Sequence, residues 1–342
     1  MADRTAPSSP LSASPRTTVH VLGLGAVGRA FLKHLDRDDF QVLAVTDSTG
    51  TLPALDTRRL ATALRTKEAG GSLCALPGCA PIDSSLAARL VGADIVVDCT
   101  SSDPERAEEG AARIQALLGR GCHVVLAEKE ALALAGDRLL EAHPSRLHLD
   151  AVLGGTGHAL QSARTELRAC DTVRLVANAS TSALLDRVGA GADWPDAIRE
   201  VQRLGILEAD PTRDLSGEDA WVKARIVARV LWCQALPEAP AFSLTALDAH
   251  TLRRSAAEGG VCRLVATVRR DGRHRLALEW FPRHHPLAVP PTRVAYAYQV
   301  GRVLRHLHVG AGLGPEGTAR ALLSDAARVH AASHAPALAC AR

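Results

Sequence analysis

The stretch from Thr18 to Asp47 constrains the fold more than any other part of this chain. Thr18-Val-His-Val-Leu-Gly reads as a buried strand, and it runs directly into Gly23-Leu-Gly25-Ala26-Val27-Gly28. Ala26 to Leu35 follows with apolar residues at Val27, Ala30, Phe31 and Leu35, the spacing of a helix that buries one side. Phe40 to Thr46 is a second strand, and Asp47 closes it 19 residues after Gly28. Each glycine has a mechanical task here. Gly23 permits the tight turn, Gly25 lets a pyrophosphate approach the backbone, and Gly28 lets the helix pack closely on the strand. The helix start at Ala26 and Val27 offers unpaired backbone N–H groups to an anion. These residues predict a nicotinamide dinucleotide site. Asp47 is placed to accept hydrogen bonds from the adenosine ribose and to repel a 2′-phosphate, which favours NAD. Ser48, Thr49, Arg58, Arg59 and Lys67 lie just downstream and could bind or screen a phosphate, so NADP stays open.

Further strands at Ala93–Thr100 and His123–Ala127 bracket a helix from about Pro104 to Leu118. Strands alternating with helices predict a Rossmann-type α/β domain over 18–150, with a parallel sheet covered on both faces. The pattern then changes. Asp171–Ala177 reads as a strand, two helical stretches surround residues 184–233, and Asp271-Gly272 between apolar runs signals a hairpin. Val294–Val300 and Val303–Val309 add two strands. This predicts an α+β substrate-binding and dimerisation domain over 151–304 with a mixed, partly antiparallel sheet. A last helix near 317–332 follows a glycine cluster, so residues 305–332 are expected to return to the first domain. Residues 1–17, rich in Ser, Pro and Ala, read as a disordered tail.

Composition removes several classes of function. A net charge of +3 and 3% aromatic residues leave neither a basic footprint nor a stacking platform for nucleic acid. No apolar run reaches the ~18 residues of a membrane span, and the amino terminus lacks the apolar core of a secretory signal. Eight scattered cysteines without a Cys-x-x-Cys pair suggest reduced, mostly buried thiols in a cytoplasmic protein. The histidines show no metal-ligand spacing. One skew is more informative. Of 40 cationic residues only Lys33, Lys67, Lys129 and Lys223 are lysine; all others are arginine. A lysine that persists against that bias marks a place where a compact charge with a shiftable pKa is needed and a permanently protonated guanidinium does not serve.

Residues 205–223 gather five carboxylates around one of these lysines. Pro211 and Gly217 interrupt the chain, and a helix begins near Gly217 with Glu218 and Asp219 in its first turn, where acids suit the helix dipole. Asp219 and Lys223 are then i,i+4 neighbours, and the same face continues to apolar Ile226 and Val230. The pair therefore projects toward the interior, where an unpartnered charge is costly. Such a site suits a substrate carrying an ammonium group, held by carboxylates, and a carbonyl, served by the lysine.

The spacing Gly205-x-x-Glu208-x-Asp210-Pro211-x-x-Asp214-x-x-Gly217-x-Asp219-x-x-x-Lys223 resembles the signature of the homoserine dehydrogenases. Val45-Thr-Asp47-Ser48-x-Gly50, Val124-Val-Leu-Ala-Glu128-Lys129, Asp150-Ala-Val-Leu-Gly-Gly155, His285-Pro-Leu-Ala288 and Gly310-x-Gly312-x-Gly314-x-x-x-Thr318-Ala319 are similar to other blocks of that family. The resemblance runs from about residue 18 to 330. It implies that Lys129 and Lys223 are catalytic, and that Glu208, Asp214, Asp219 and Asn178 bind substrate or order the site. It further implies that Ser48, Thr100, Lys129, Gly312, Gly314 and Thr318 join the glycine loop in holding NAD or NADP. The implied reaction interconverts aspartate 4-semialdehyde and homoserine by hydride transfer. A homodimer is implied, for which the edge Val303–Val309 is suited. So is a monovalent cation, Na+ or K+, at the backbone of Asp150, Leu153, Gly155 and Gly157. The chain departs from the family at Asn178-Ala-Ser-Thr-Ser-Ala183, Gly154-Gly-Thr-Gly-His158 and Glu128. These changes fall on the expected substrate side. They keep open the same chemistry on a related amino-acid aldehyde, or a catalytically silent dinucleotide binder.

Overall fold

A computed structural model describes residues 15–154, 160, 169–207, 210–312 and 314–334. Glu208, Gly155, Gly157, His158 and residues 1–14 of the expected tail lie outside the described residues. β1 (Thr17–Leu22), α1 (Ala26–His34), β2 (Phe40–Asp47) and β3 (Gly50–Pro53) open the chain. They are followed by α2 (Thr57–Glu68), α3 (Ser84–Leu90) and β4 (Ile95–Asp98). Next come α4 (Ala107–Gly119), β5 (His123–Leu126), α5 (Glu130–Ala142) and β6 (Leu147–His148). The six strands form one sheet in the order β3-β2-β1-β4-β5-β6, parallel except where β3 folds back antiparallel on β2. Val19, Val21, Ile95, Val97 and Val125 are fully buried, as both-face coverage of a parallel sheet requires. Thr17, expected in a disordered tail, is instead the first residue of β1; it pairs with Phe40 and is buried.

The second sheet is built from β7 (Thr172–Val176), with α6 (Ala179–Gly189), α7 (Trp194–Arg203), the single turn α8 (Thr212–Leu215), α9 (Glu218–Trp232) and α10 (Ala249–Ala257) ahead of its remaining strands. Those strands are β8 (Gly260–Arg269), β9 (Arg275–Pro282), β10 (Arg293–Val300) and β11 (Val303–Ala311). Their order is β11-β10-β7-β8-β9, and every pairing is antiparallel rather than mixed. Asp271-Gly272 turns β8 into β9, with Gly272 at φ +85°. β11 pairs along its length with β10. The return toward the first sheet therefore begins after Gly312, not at residue 305. It is made by α11 (Pro315–His334), whose Ala319, Leu322, Ala326 and Val329 share a core with Val19, Phe31 and Val97.

One hydrophobic cluster joins the two sheets through α5 and α9. Leu132, Leu139 and Leu140 of α5 belong to the same buried cluster as Val222, Ile226 and Val230 of α9. A β-carbon on Gly136 would stand 3.5 Å from Val230, so the helices meet at van der Waals distance. This seam fixes where the amino-terminal ends of α5 and α9 lie relative to each other. No helix among the described residues is long and apolar enough to cross a membrane.

Candidate active site

The glycine loop has the geometry of an anion cradle. Gly23 sits at φ +90°, and a β-carbon there would fall 2.3 Å from the carbonyl oxygen of Cys99. At Gly28 it would fall 2.0 Å from the carbonyl oxygen of Gly23. Gly25 differs: nothing lies within 4 Å of its missing side chain. The protein thus crowds two of the glycines and leaves the third facing open space. α1 has no side-chain cap and no acidic residue in its first turn, so its N–H groups are left to a ligand. These features fit the pyrophosphate of a nicotinamide dinucleotide.

Asp47 is more engaged than its position in the sequence suggests. Oδ1 accepts hydrogen bonds from Thr49 N (2.8 Å), Thr49 Oγ1 (2.6 Å) and Gly50 N (3.2 Å), while Oδ2 lies 2.6 Å from Lys67 Nζ. Burial acts to raise its pKa, but the bonds from Lys67 and Thr49 outweigh burial and hold it low. Its negative charge is therefore offset by an adjacent ammonium. Arg59 is tied to the carbonyls of Pro53, Ala54 and Pro77, and Ser48 and Arg58 are exposed. Thr100 donates to Asp98 Oδ1 (2.6 Å) just beyond β4 and accepts from Arg113.

The lysines meet at a single carboxylate. Lys129 precedes α5 at the carboxyl end of β5, and its Nζ is 2.7 Å from Asp219 Oδ1. Lys223 reaches the other oxygen, Oδ2, also at 2.7 Å. Lys223 Nζ donates further to Ala177 O and Asn178 Oδ1, both at 2.9 Å, so all three of its N–H bonds have partners. For Lys129, among the described residues, Asp219 is the only side-chain partner of Nζ. Burial alone would raise the Asp219 pKa; the two ammonium groups reverse that and drive it below the usual carboxylate range. Gly217, at φ +74°, precedes α9, and a β-carbon on it would fall 2.7 Å from Leu276, so the start of the helix leaves no room for a side chain there.

Asp214 lies alongside. Its Oδ1 accepts from Asn178 Nδ2 (2.9 Å) and from Ser180 Oγ, and burial, then the charge of Asp219, raises its pKa. Asp210 is exposed and caps its own turn through Thr212. The C-terminal glycines pack against the start of α6 and the turn after α7. A β-carbon on Gly312 would meet Ala179 at 2.5 Å and one on Gly314 would meet the carbonyl of Gly205 at 3.1 Å, while Thr318 is half-buried at the start of α11. At the expected cation position, the carboxylate of Asp150 is held 2.7 Å from Arg328 and Leu153 is buried. No cluster of three or more His, Cys, Asp or Glu suited to a metal exists among the described residues.

Sequence reasoning missed the links that make this one site. Ser102 Oγ accepts the backbone N–H of Lys129 (3.1 Å), and Ser102 O accepts from Arg213 (2.8 Å). Arg213 also binds buried Glu130 at 2.5 Å. A continuous path therefore runs from Gly23 through Cys99 and Ser102 to Lys129, Asp219 and Lys223. Nothing in local spacing marks Ser102 or Arg213, whose partners lie far away in sequence. Lys67, by contrast, was marked by its scarcity and by its place downstream of Asp47. Lys33, equally scarce, forms an exposed pair with Glu68.

The chain matches the family model of the homoserine dehydrogenase domain over residues 159–326 and that of the homoserine dehydrogenase NAD-binding domain over 23–148. The homoserine dehydrogenase of Methanocaldococcus jannaschii is 27% identical, over 91% of this chain and 97% of that protein. The NAD(+)-dependent homoserine dehydrogenase of Pseudomonas canavaninivorans is 26% identical over 91% and 95%. A hyperthermophilic archaeal homoserine dehydrogenase solved in complex with NADPH superposes with a TM-score of 0.72 at 25% identity, covering 92% of this chain and 98% of that one. The chain belongs to the homoserine dehydrogenase family, NAD(P)-dependent oxidoreductases that act on a CH–OH group.

Proposed function

We propose that this protein interconverts L-aspartate 4-semialdehyde and L-homoserine in the cleft between the glycine loop and the start of α9, using either NAD or NADP. The observation that carries the reading is the Asp219 carboxylate shared by Lys129 and Lys223, with Lys129 tied through Ser102 to the segment after β4 on which Gly23 packs. Gly23, Gly25, Gly28 and the N–H groups of Ala26 and Val27 would hold the pyrophosphate, and Asp47 with Lys67 would hold the adenosine ribose, with or without a 2′-phosphate. The chemistry such a group would supply when bound is donation or acceptance of a hydride.

The chain's own residues manage charge and protons around that transfer. When the aldehyde is reduced, negative charge develops on its oxygen. Lys129 has two N–H bonds without a partner among the described residues, which suits it to donate to that oxygen. Lys223, with every N–H engaged, holds Asp219 and Asn178 in place. Asp219 keeps both amines aimed, and Lys129 gives its proton to the forming alkoxide. In the opposite direction a neutral Lys129 takes the hydroxyl proton. Asp214, steadied by Asn178 and Ser180, and Glu208 provide negative charge for the substrate ammonium. The exposed edge β11, with Val303 56% accessible and Leu304 and Val309 each 40%, favours pairing of two copies. Dissolved metabolites as substrates suit a cytoplasmic enzyme.

The test is a panel of short amino-acid alcohols, homoserine among them, assayed with NAD+ and NADP+ at alkaline pH for reduced nicotinamide absorbance. Homoserine is expected to give the highest specificity constant with both dinucleotides, and Lys67→Met to lower the NADP+ constant relative to NAD+ by about tenfold, a lost charge-assisted contact. Turnover of another alcohol in preference to homoserine refutes the substrate assignment. An unchanged cofactor ratio in Lys67→Met removes Lys67 from the ribose pocket.

A further inference from the structure

Two cysteines that sequence reasoning left as ordinary buried thiols meet beside the dinucleotide loop. Cys74 Sγ and Cys79 Sγ lie 3.4 Å apart, with Cys74 exposed and Cys79 half-buried. Both press on the turn after β2. A β-carbon on Gly50 would stand 2.6 Å from Cys74 Sγ and 3.1 Å from Cys79 Sγ. Cys74 also donates its S–H to Thr49 O, and the N–H of Leu73 donates to Thr49 Oγ1 at 3.1 Å. Thr49 is the residue whose N–H and hydroxyl hold Asp47 Oδ1. The segment carrying the thiols is anchored by two backbone bonds between Thr51 and Ala80, each 2.8 Å. The sulfurs are therefore at contact distance on a tethered loop, and bonding at about 2.05 Å needs a relative shift of about 1.4 Å.

We propose that Cys74 and Cys79 form a thiol–disulfide exchange site that takes low-molecular-weight disulfides and, once closed, loosens the Asp47–Gly50 turn. Exposure assigns the first step to Cys74. Its thiolate attacks one sulfur of the disulfide RSSR, an S–S bond breaks, and RS⁻ leaves to be protonated. Burial, then the neighbouring Cys74, pushes the Cys79 thiol up to about 11, so Cys79 stays protonated until the mixed disulfide stands against it. Cys79 then loses its proton and attacks Cys74 Sγ, expelling the second RS⁻. The two protein thiols lose two electrons and two protons, and RSSR becomes two RSH. The disulfide has no S–H to give, so Thr49 O loses its donor and the turn that holds Asp47 loses a constraint. The effect on cofactor grip rests on the reading of Asp47 as the partner of the adenosine ribose; the bond-forming step does not.

The folded protein is incubated with oxidised glutathione, then examined by intact mass and by peptide mapping without reduction. The expected result is loss of two hydrogens, a mapped Cys74–Cys79 link, and dinucleotide affinity about fivefold weaker by titration calorimetry, the value of one hydrogen bond. Dithiothreitol is expected to reverse all three. Cys79→Ala should stop at a glutathione adduct on Cys74, and Cys74→Ser should keep its affinity through the same treatment. Oxidation confined to other cysteines, or a mapped 74–79 link with unchanged dinucleotide affinity, overturns the proposal. A reduced protein that binds no dinucleotide refutes the cofactor reading instead, and with it the coupling, while the mass map still reports the exchange step.

Discussion

Replacing Asp219 by Asn removes the one negative charge between two ammonium groups while keeping the size of the side chain. Each lysine nitrogen is 2.7 Å from a separate oxygen of that carboxylate, and the three side chains are between 12% and 27% exposed. Removing one partner of a buried ion pair costs about 3–5 kcal/mol, and partial exposure here lowers that to about 2–4 kcal/mol. At about 2 °C per kcal/mol for a chain of this length, the midpoint of thermal unfolding should fall by about 4–8 °C at neutral pH. The pH dependence has a definite sign. Because Asp219 is held below the usual carboxylate range in the folded state, its contribution is present above the unfolded value near ~3.9 and is lost as pH falls through the lower folded value. The gap between wild type and variant should therefore be constant from neutral pH to about 5 and begin to close only below ~4. With Lys129 no longer aimed, turnover should drop by about 10²-fold or more. Steady-state assays and thermal scans across pH test this together. A variant with near-normal turnover, or one whose stability gap closes already at neutral pH, refutes the bridging role.

Two glycines of the cradle should separate stability from binding. Gly25→Ala adds a methyl group to open space, so the unfolding midpoint should not move, while the dinucleotide dissociation constant rises about tenfold or more. Gly28→Ala places the same methyl 2.0 Å from a carbonyl oxygen and should cost about 3 kcal/mol or more of stability; equal behaviour of the two variants refutes the division. Glu128 is buried and accepts backbone bonds from Glu130 (2.6 Å) and Ala131 (3.0 Å), while burial, then Asp98, raises its pKa to about 7. A raised folded value stabilises below the unfolded value and is lost as pH rises through about 7. Glu128→Gln loses one of these acceptors at every pH, but relative to wild type it should gain about 1–2 kcal/mol in urea unfolding between pH ~5 and pH ~8.5, and a difference from wild type that does not change with pH would contradict it.

Parts of this protein were legible one residue at a time. The strand, glycine loop and helix of the cradle, the Asp271-Gly272 hairpin and the i,i+4 pair of Asp219 and Lys223 are local features, fixed by periodicity and backbone geometry. Local periodicity also failed in places. α2, with Arg58, Arg59 and Lys67 along it, carries too weak an apolar stripe to stand out, and β11 reads like a strand without revealing which sheet receives it.

The scarcity of lysine singled out positions 33, 67, 129 and 223 without showing what each would touch. That was decided by packing. The α5–α9 seam brings Lys129 to a carboxylate 90 residues away, the fold of α2 sets Lys67 on Asp47, and the 72–80 segment lays two thiols on the same turn. Sequence spacing encodes neighbours along a strand or a helix turn. Partners that meet across a core are chosen by which apolar faces bury each other, and only the assembled fold specifies that.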